Sequence, residues 1–275
     1  MSKNFFKRVF RFIKVNAIQN PRFLLIYAIT YFLPGFSFNV CFYDGEEVKK
    51  LIEQGKSIIR FGDGEIYLMN GGSLGDHTRY DPRMRKIFFD IIKKYRSDSP
   101  YVLGIAEFTR KTNRYLREKK MLHVWLPMKV YYFLYFSKNT RYADAHAFYY
   151  NDYFPRFIAP ALENRYVIFI SRKKNIETLK ANKEFISRHG SYFIETPDHD
   201  AYDMYDQIVE KADHMLKTLP QDKKPIIVAA FGPASKVFAY DFSRKGIQIL
   251  DIGTGIEILY SDKKINVILP ENSKK

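Results

Sequence analysis

Ser57-Ile58-Ile59-Arg60-Phe61-Gly62-Asp63-Gly64-Glu65 is the stretch on which the reading of this chain turns. Its apolar start predicts a short strand over 57–61. Two carboxylates follow, two residues apart, each preceded by glycine. In extended or turn backbone, residues i and i+2 point to the same side. The spacing therefore predicts that Asp63 and Glu65 converge on one point where the strand leaves the sheet. Glycine tolerates positive φ and lets backbone come close to a ligand. A carboxylate pair so placed suits a hard divalent cation, Mn²⁺ or Mg²⁺. A bare D-x-E is more often a solvated turn; Arg60, both glycines and the preceding strand favour a site.

Outward from this point, strand and helix patterns alternate. Helices are predicted over 44–54, 81–95, 123–136, 175–189, 201–217 and 233–244, and strands over 101–105, 167–170, 192–194, 226–230 and 247–252. Asp81-Pro82 is a cap followed by proline at the first helical position. The alternation predicts an α/β fold: a Rossmann-like, mostly parallel sheet with helices on both faces, over residues 43–268. Ligands of such folds bind at the carboxyl ends of strands. Asp63 and Glu65, Gly232, and Asp251 each fall at such an end.

Phe231-Gly232-Pro233-Ala234-Ser235-Lys236 joins a strand to a helix. A helix N-terminus with free N–H groups binds phosphate, Ser235 can add a hydroxyl, and Lys236 a point charge. The Walker A spacing is absent, which argues against an ATPase. An ordinary βα turn is an equal reading of this motif alone. Asp251, in Asp251-Ile252-Gly253-Thr254, can accept from a ribose or sugar hydroxyl or cap a turn. Asp200 is a candidate N-cap. His199, Asp76 and His77 read first as loop residues, and Arg172-Lys173-Lys174 as a basic turn.

The segment Arg60–Glu65 resembles the signature of the GT-D glycosyltransferases. Ala229-Ala230-Phe231-Gly232-Pro233-Ala234-Ser235-Lys236-Val237 and Leu250-Asp251-Ile252-Gly253 resemble that family's C-terminal segments, and Thr196–Ile208 its middle helix start. The matches run in the expected order from about Asp44 to Tyr260. Thr254 departs from the pattern, in which histidine often follows D-I-G. The resemblance implies a metal-dependent glycosyltransferase, with Asp63 and Glu65 holding Mn²⁺ or Mg²⁺. Arg60, Phe61, Gly62, Gly64, Gly232, Pro233, Ser235, Lys236 and Asp251 would bind a nucleotide-sugar donor of the UDP-sugar kind. It also implies a saccharide acceptor in bacterial surface-glycan assembly. The general base is not ranked by the sequence.

Composition bounds the rest. The chain has 275 residues, enough for one large α/β domain and an appendage. One cysteine, Cys41, excludes an internal disulfide and suits a reducing cytoplasm. Aromatics reach 17%, which fits a membrane interface or sugar cleft and equally a coding bias. Net charge is +15. Lys3, Lys7, Arg8, Arg11, Lys14 and Arg22 all precede the first acid, Asp44. Phe5, Phe6, Val9, Phe10 and Ile13 recur at helical spacing opposite the first five of these cations. The uncharged run Phe23–Leu33 is shorter than the roughly 20 residues a spanning helix needs. A signal peptide is a further reading, but no small-residue cleavage site stands out. Residues 1–42 thus read as a peripheral or re-entrant anchor on anionic lipid at the inner face of the cell membrane, where a lipid-linked acceptor would be at hand. The alternative is a basic helix packed on the domain, with the apolar run in its core. Two further readings stand behind the transferase. One is a metal-dependent phosphohydrolase, which needs more acid or histidine ligands at strand ends. The other is a basic membrane- or nucleic-acid-binding module. Basic residues beyond the N-terminus are interleaved with acids, so no nucleic-acid stripe is expected.

Overall fold

The computed structural model describes residues 20–75, 77–149, 153–183, 186 and 191–259. Its strands are β1 (Cys41–Phe42), β2 (Ser57–Phe61), β3 (Tyr101–Ile105), β4 (Arg141–Asp144), β5 (Tyr166–Arg172), β6 (Ser191–Thr196), β7 (Pro225–Ala230) and β8 (Ile249–Asp251). They form one 8-stranded sheet in the order β1-β4-β3-β2-β8-β7-β5-β6. Every pairing between these strands is parallel, with Ile58 of β2 opposite Leu250 of β8. The chain enters the middle of the sheet at β2, steps out through β3 to β4, and crosses to β5 and β6. It then returns through β7 and β8 to pair with β2. The α/β class read from the sequence is the one observed.

Alternate residues of each strand face opposite cores, as the pleat requires. Ile59, Phe61, Leu103, Ile105 and Ile227 enter one core. Ile58, Val102, Phe169, Val228 and Leu250 enter the other. The helices are α1 (Pro21–Tyr31), α2 (Gly45–Glu53), α3 (Asp63–Met69), α4 (Pro82–Lys94), α5 (Asn113–Glu118), α6 (Leu122–Tyr135), α7 (Ala159–Leu162), α8 (Lys173–Ala181), α9 (Tyr205–Thr218) and α10 (Ala234–Arg244). Helices α4, α6, α9 and α10 cover the first core; α2, α7 and α8 cover the second. Near-continuous apolar strands are what burial on both faces selects.

Local chemistry explains the starts. Asp44 caps α2: its Oδ1 accepts from Glu47 N at 2.8 Å, and Glu47 Oε2 accepts from Asp44 N at 2.9 Å, a reciprocal pair whose cap side chain contributes about 1 kcal/mol. Asp81 Oδ1 accepts from Arg83 N at 2.6 Å, with Pro82 opening α4.

Three expectations are corrected. The helix placed at 175–189 begins at Lys173 and ends at Ala181; 184, 185 and 187–190 lie outside the described residues. The helix placed at 201 opens with a 3₁₀ turn, Ala201–Met204, before α9. Asp200 does not cap it. It sits at φ 46°, and its carboxylate accepts from Arg79 N at 2.6 Å and Arg79 Nε at 2.8 Å instead.

The basic helix expected before residue 20 lies outside the described residues, as does the tail at 271–275. Residues 20–42, read as part of an appendage, pack on the domain. Phe23 is buried against Tyr131 of α6, with ring centres 5.6 Å apart. Lys129 of α6 is buried, and its Nζ donates to Phe36 O (2.7 Å), Lys111 O (3.0 Å) and Asn113 Oδ1 (2.5 Å). β1 is the edge strand of the sheet itself. Among the described residues, the opposite side of α1 is exposed: Leu25 is 62% exposed and Phe32, just past its end, 75%. Among the described residues no helix is long and apolar enough to cross a membrane.

Candidate active site

A cleft of about 400 Å³ opens over the carboxyl ends of β4, β2, β8, β7 and β5. That size is within the range of small-ligand sites. Its floor is made by Arg60, Gly62, Glu65 and Lys236. Ala145, His146 and Thr254 lie at one end, and Arg172, Asn175 and Asp198 at the other.

The D-x-E does not sit in a loop. Gly62 is extended, and α3 begins at Asp63. Glu65 reaches back so that its Oε2 accepts from Gly62 N at 2.8 Å. This bond and two acids in the first turn of a helix both favour helix over turn. On a helix, residues two apart point about 200° apart, so the two carboxylates diverge. Asp63 is exposed at the cleft, its Oδ1 accepting from Gly64 N at 2.9 Å. Glu65 turns inward and is buried.

Glu65 meets Lys236 there. Lys236 Nζ lies 3.1 Å from Glu65 Oε1 and 3.3 Å from Asp251 Oδ2. Burial pushes this ammonium down; Asp251 and Glu65 outweigh burial, Arg60 opposes them, and the net direction is up. Lys236 therefore remains charged. Asp251 is fully buried, its Oδ2 accepting from Arg60 N at 3.0 Å and its Oδ1 from Ser235 Oγ at 2.9 Å. Arg60 Nε donates to Asp251 O and Nη1 to Ala145 O, both at 2.8 Å. Gly253, at φ 51°, leaves room for that guanidinium: a Cβ there would lie 1.9 Å from Arg60 Nη2. Gly232, at φ 73°, makes the turn from β7 into α10.

The structure thus brings Arg60, Gly62, Asp63, Gly64, Glu65, Gly232, Pro233 and Lys236 to one cleft. Phe61 packs edge-on against Phe88 in the core, 5.5 Å between ring centres. Ser235 and Asp251 lie beneath the floor, not on it. Their polar atoms serve Lys236 and Arg60, so the sugar-hydroxyl contact expected of Asp251 is not presented. The N–H groups of Ser235 and Lys236 are taken by Gly232 O (3.1 Å) and Pro233 O (3.2 Å), so the free amide cradle expected at this helix start is narrower than read. Arg172 reaches the cleft, while Lys173 and Lys174 face outward. His77 lines the cleft and stacks on His199, rings 5.3 Å apart and 6° from parallel. Asp76 lies outside the described residues.

His146 was not singled out in the sequence. It lines the cleft with its ring edge-on to Trp125, 5.6 Å between centres. Its Nδ1 lies 3.8 Å from Asp144 Oδ1, which also accepts from Glu107 N and His146 N. The available signal was a histidine just past the carboxyl end of a strand, but β4 was itself missed.

The donor set for a metal is hard oxygen. Asp63 Oδ2 is uncommitted at the cleft, whereas both oxygens of Glu65 are engaged. Among the described residues no three acid, histidine or cysteine side chains gather as a complete cage. Mg²⁺ and Mn²⁺ commonly take one or two carboxylates and complete their shells with water and substrate phosphate, and Asp63 fits that mode.

A parallel α/β sheet with a charged cleft over its carboxyl ends defines the class of α/β proteins that bind ligands at the strand ends. The model of the family described as glycosyltransferase GT-D fold matches residues 58–267, and the chain belongs to that family. It is a glycosyltransferase. No curated protein matches it in sequence. A new glycosyltransferase (DUF1792) from Streptococcus sanguinis has a similar structure, at 18% identity and TM-score 0.64 over 78% of this chain and 81% of that one. A second similar structure, of the conserved domain of unknown function 1792 with a distinct glycosyltransferase fold, has 20% identity and TM-score 0.65 over 83% and 82%.

Proposed function

We propose that the cleft transfers a sugar from a nucleoside-diphosphate donor, UDP-linked by preference, to a saccharide acceptor that is lipid-linked at the cytoplasmic face of the cell membrane, in surface-glycan assembly. One observation carries the donor site: Asp63, at the carboxyl end of β2, is exposed beside a floor whose own charges, Glu65 and Lys236, are already paired. Asp63 would hold Mn²⁺ or Mg²⁺ directly, with Glu65 behind it through water. The ion, when bound, would neutralise charge on the leaving diphosphate. Lys236 would place its ammonium at the floor below the phosphates, with its charge shared with Glu65 and Asp251, and α10 directs the positive end of its dipole at them. At the far end, the acceptor hydroxyl gives its proton to His146 as its oxygen bonds to the anomeric carbon. The bond from that carbon to the diphosphate oxygen breaks, and the nucleoside diphosphate leaves. Asp144 and Trp125 orient the imidazole.

The test is calorimetry of UDP binding with and without Mn²⁺, for wild type and Asp63→Asn. The expected result is metal-dependent binding that loses its metal dependence in the variant. Binding of UDP, GDP, CDP and TDP that responds neither to metal nor to the substitution overturns the donor site.

A further inference from the structure

Among the described residues, the face of α1 turned away from the domain is apolar and exposed. Leu25, Ile29 and Phe32 recur at i, i+4 and i+7, one stripe of a helix, and are 62%, 50% and 75% exposed. Leu33 continues the stripe. Phe133 of α6 adjoins it through Phe36, 5.8 Å between ring centres. So large a set of bare apolar side chains on one face marks an interaction surface.

Its border is basic. Arg22 is exposed at the start of α1. Arg114 N donates to Pro34 O at 2.8 Å, which places α5 beside the end of the stripe. Arg117 bonds Tyr31 O and lies over the Tyr31 ring at 5.1 Å. Lys138 covers the Phe133 ring at 4.4 Å. Lys111, Lys119 and Lys120 flank α5, where Glu118 is the acid. Aromatic and aliphatic side chains ringed by Lys and Arg match a bilayer surface, where the apolar groups enter the interface and the cations meet lipid phosphate. No described helix can span a bilayer, so contact is in the plane.

We propose that this face, Leu25, Ile29, Phe32, Leu33 and Phe133 rimmed by Arg22, Arg114, Arg117 and Lys138, docks the enzyme on an anionic lipid bilayer. The attachment is rigid, because Lys129 and Asn113 tie the segment after α1 to the domain: Asn113 Nδ2 donates to Thr30 O (2.7 Å) and Leu33 O (3.0 Å). It is also placed for the cleft. The chain that becomes α5 leaves the carboxyl end of β3 at Glu107–Arg110, where Glu107 N donates to Asp144 Oδ1 at 3.2 Å and Thr109 O accepts from Phe38 N at 3.0 Å. The docking face therefore lies by the end of the cleft that holds Asp144 and His146. An acceptor anchored in the bilayer meets that end first. This inference rests on the membrane-linked acceptor proposed above, but its test uses neither donor nor acceptor, so either can fail alone.

The test is cosedimentation of the full chain with phosphatidylcholine vesicles, with and without phosphatidylglycerol. The full chain should bind the anionic vesicles, more weakly at high salt. Leu25→Ser/Phe32→Ser should lower partitioning by about tenfold or more. Arg22→Gln/Arg114→Gln should lower it by about fivefold per charge. Lys211→Gln/Lys217→Gln, on α9 against β6 at the opposite edge of the sheet, should leave it unchanged. All six side chains are exposed, so folding is kept and is checked by melting. Failure of the wild type to bind overturns the proposal. So does unchanged binding in the Leu25/Phe32 variant with loss only on deleting residues 1–19. Light scattering supplies a further refutation: a dimer that the Leu25/Phe32 variant turns into a monomer would assign the face to a second copy of the chain.

Discussion

Lys236→Met tests whether the floor of the cleft is one buried charge network. Methionine keeps the length and removes the ammonium that stands 3.1 Å from Glu65 and 3.3 Å from Asp251. Removing one partner of a buried pair costs about 3–5 kcal/mol, because the other charge is left unpaired in low dielectric. Against a typical total of roughly 5–15 kcal/mol, that is a large fraction. With about 2–4 °C of melting temperature per kcal/mol for a chain of this size, the variant should melt some 10 °C lower or more. The loss should depend on pH in a stated direction. In the wild type the ammonium is raised above its ordinary value. Its contribution is whole below the unfolded value of 10.5 and fades only as pH climbs past the folded value. In the variant, Asp251 keeps the Arg60 amide and the Ser235 hydroxyl, but Glu65 keeps only the Gly62 amide. Protonating Glu65 then relieves the strain, so the deficit at pH 8 should shrink toward pH 5. Adding Glu65→Gln to Lys236→Met should recover stability at pH 8, whereas Glu65→Gln alone should lose it. Urea denaturation at both pH values measures all four proteins. A deficit under about 1 kcal/mol, or one flat in pH and not rescued by Glu65→Gln, refutes the network.

Gly232→Ala and Gly253→Ala should separate two uses of positive φ. At Gly232 a Cβ meets nothing nearer than Thr78 Oγ1 at 3.9 Å, so denaturant melts should show only the left-handed backbone cost of about 1–2 kcal/mol. At Gly253 the Cβ displaces a guanidinium bonded on both sides, and the loss should be larger by about 1–3 kcal/mol. Burial pushes the Lys129 ammonium down to about 7. The unfolded chain therefore holds this proton where the folded protein releases it, and the contribution to stability grows as pH rises from about 7 toward 10.5. Lys129→Met should abolish that slope in melts taken across pH 7 to 9. Once a donor and acceptor are in hand, His146→Gln should lower kcat by about 10²–10⁴ with little change in KM.

Where local chemistry decided structure, the sequence was legible. The ends of α2 and α4 follow from Asp44, Glu47 and Asp81-Pro82, which act over three residues. The strands around 58, 103, 168 and 228 follow from apolar runs that both faces of a parallel sheet require. The failures have equally local causes. Gly62 and Gly64 suggested a turn, and the pull of Glu65 on the Gly62 amide, which starts a helix there, is a three-residue bond that a strand-to-loop reading passes over. β4 is four residues with Arg141 and Asp144 at its ends, too short and too polar to register as a strand. With it went His146, whose meaning lies in its place just beyond a strand end. The inward turn of Asp251 could not be read at all, since its partners, Arg60 and Lys236, are distant in sequence.

Those same partners explain why the separated segments belong together. Arg60 and Glu65 come from the first motif, Lys236 from the second and Asp251 from the third. Arg60 and Lys236 carry two positive charges, and Glu65 and Asp251 two negative ones, so the group sums to zero beneath the floor. Each member is buried, and a buried charge left alone would be expelled or neutralised. Losing any one residue therefore strands a partner contributed by another strand of the sheet. Asp63 is the acid of these motifs that stands outside the balance, exposed and with one oxygen uncommitted. The network fixes β2, β8 and the start of α10 relative to one another, and by doing so fixes the one carboxylate it does not neutralise. In the donor site proposed above, that rigid, unneutralised acid is the group that would receive a diphosphate-bound cation, and the network beneath it would hold it in place.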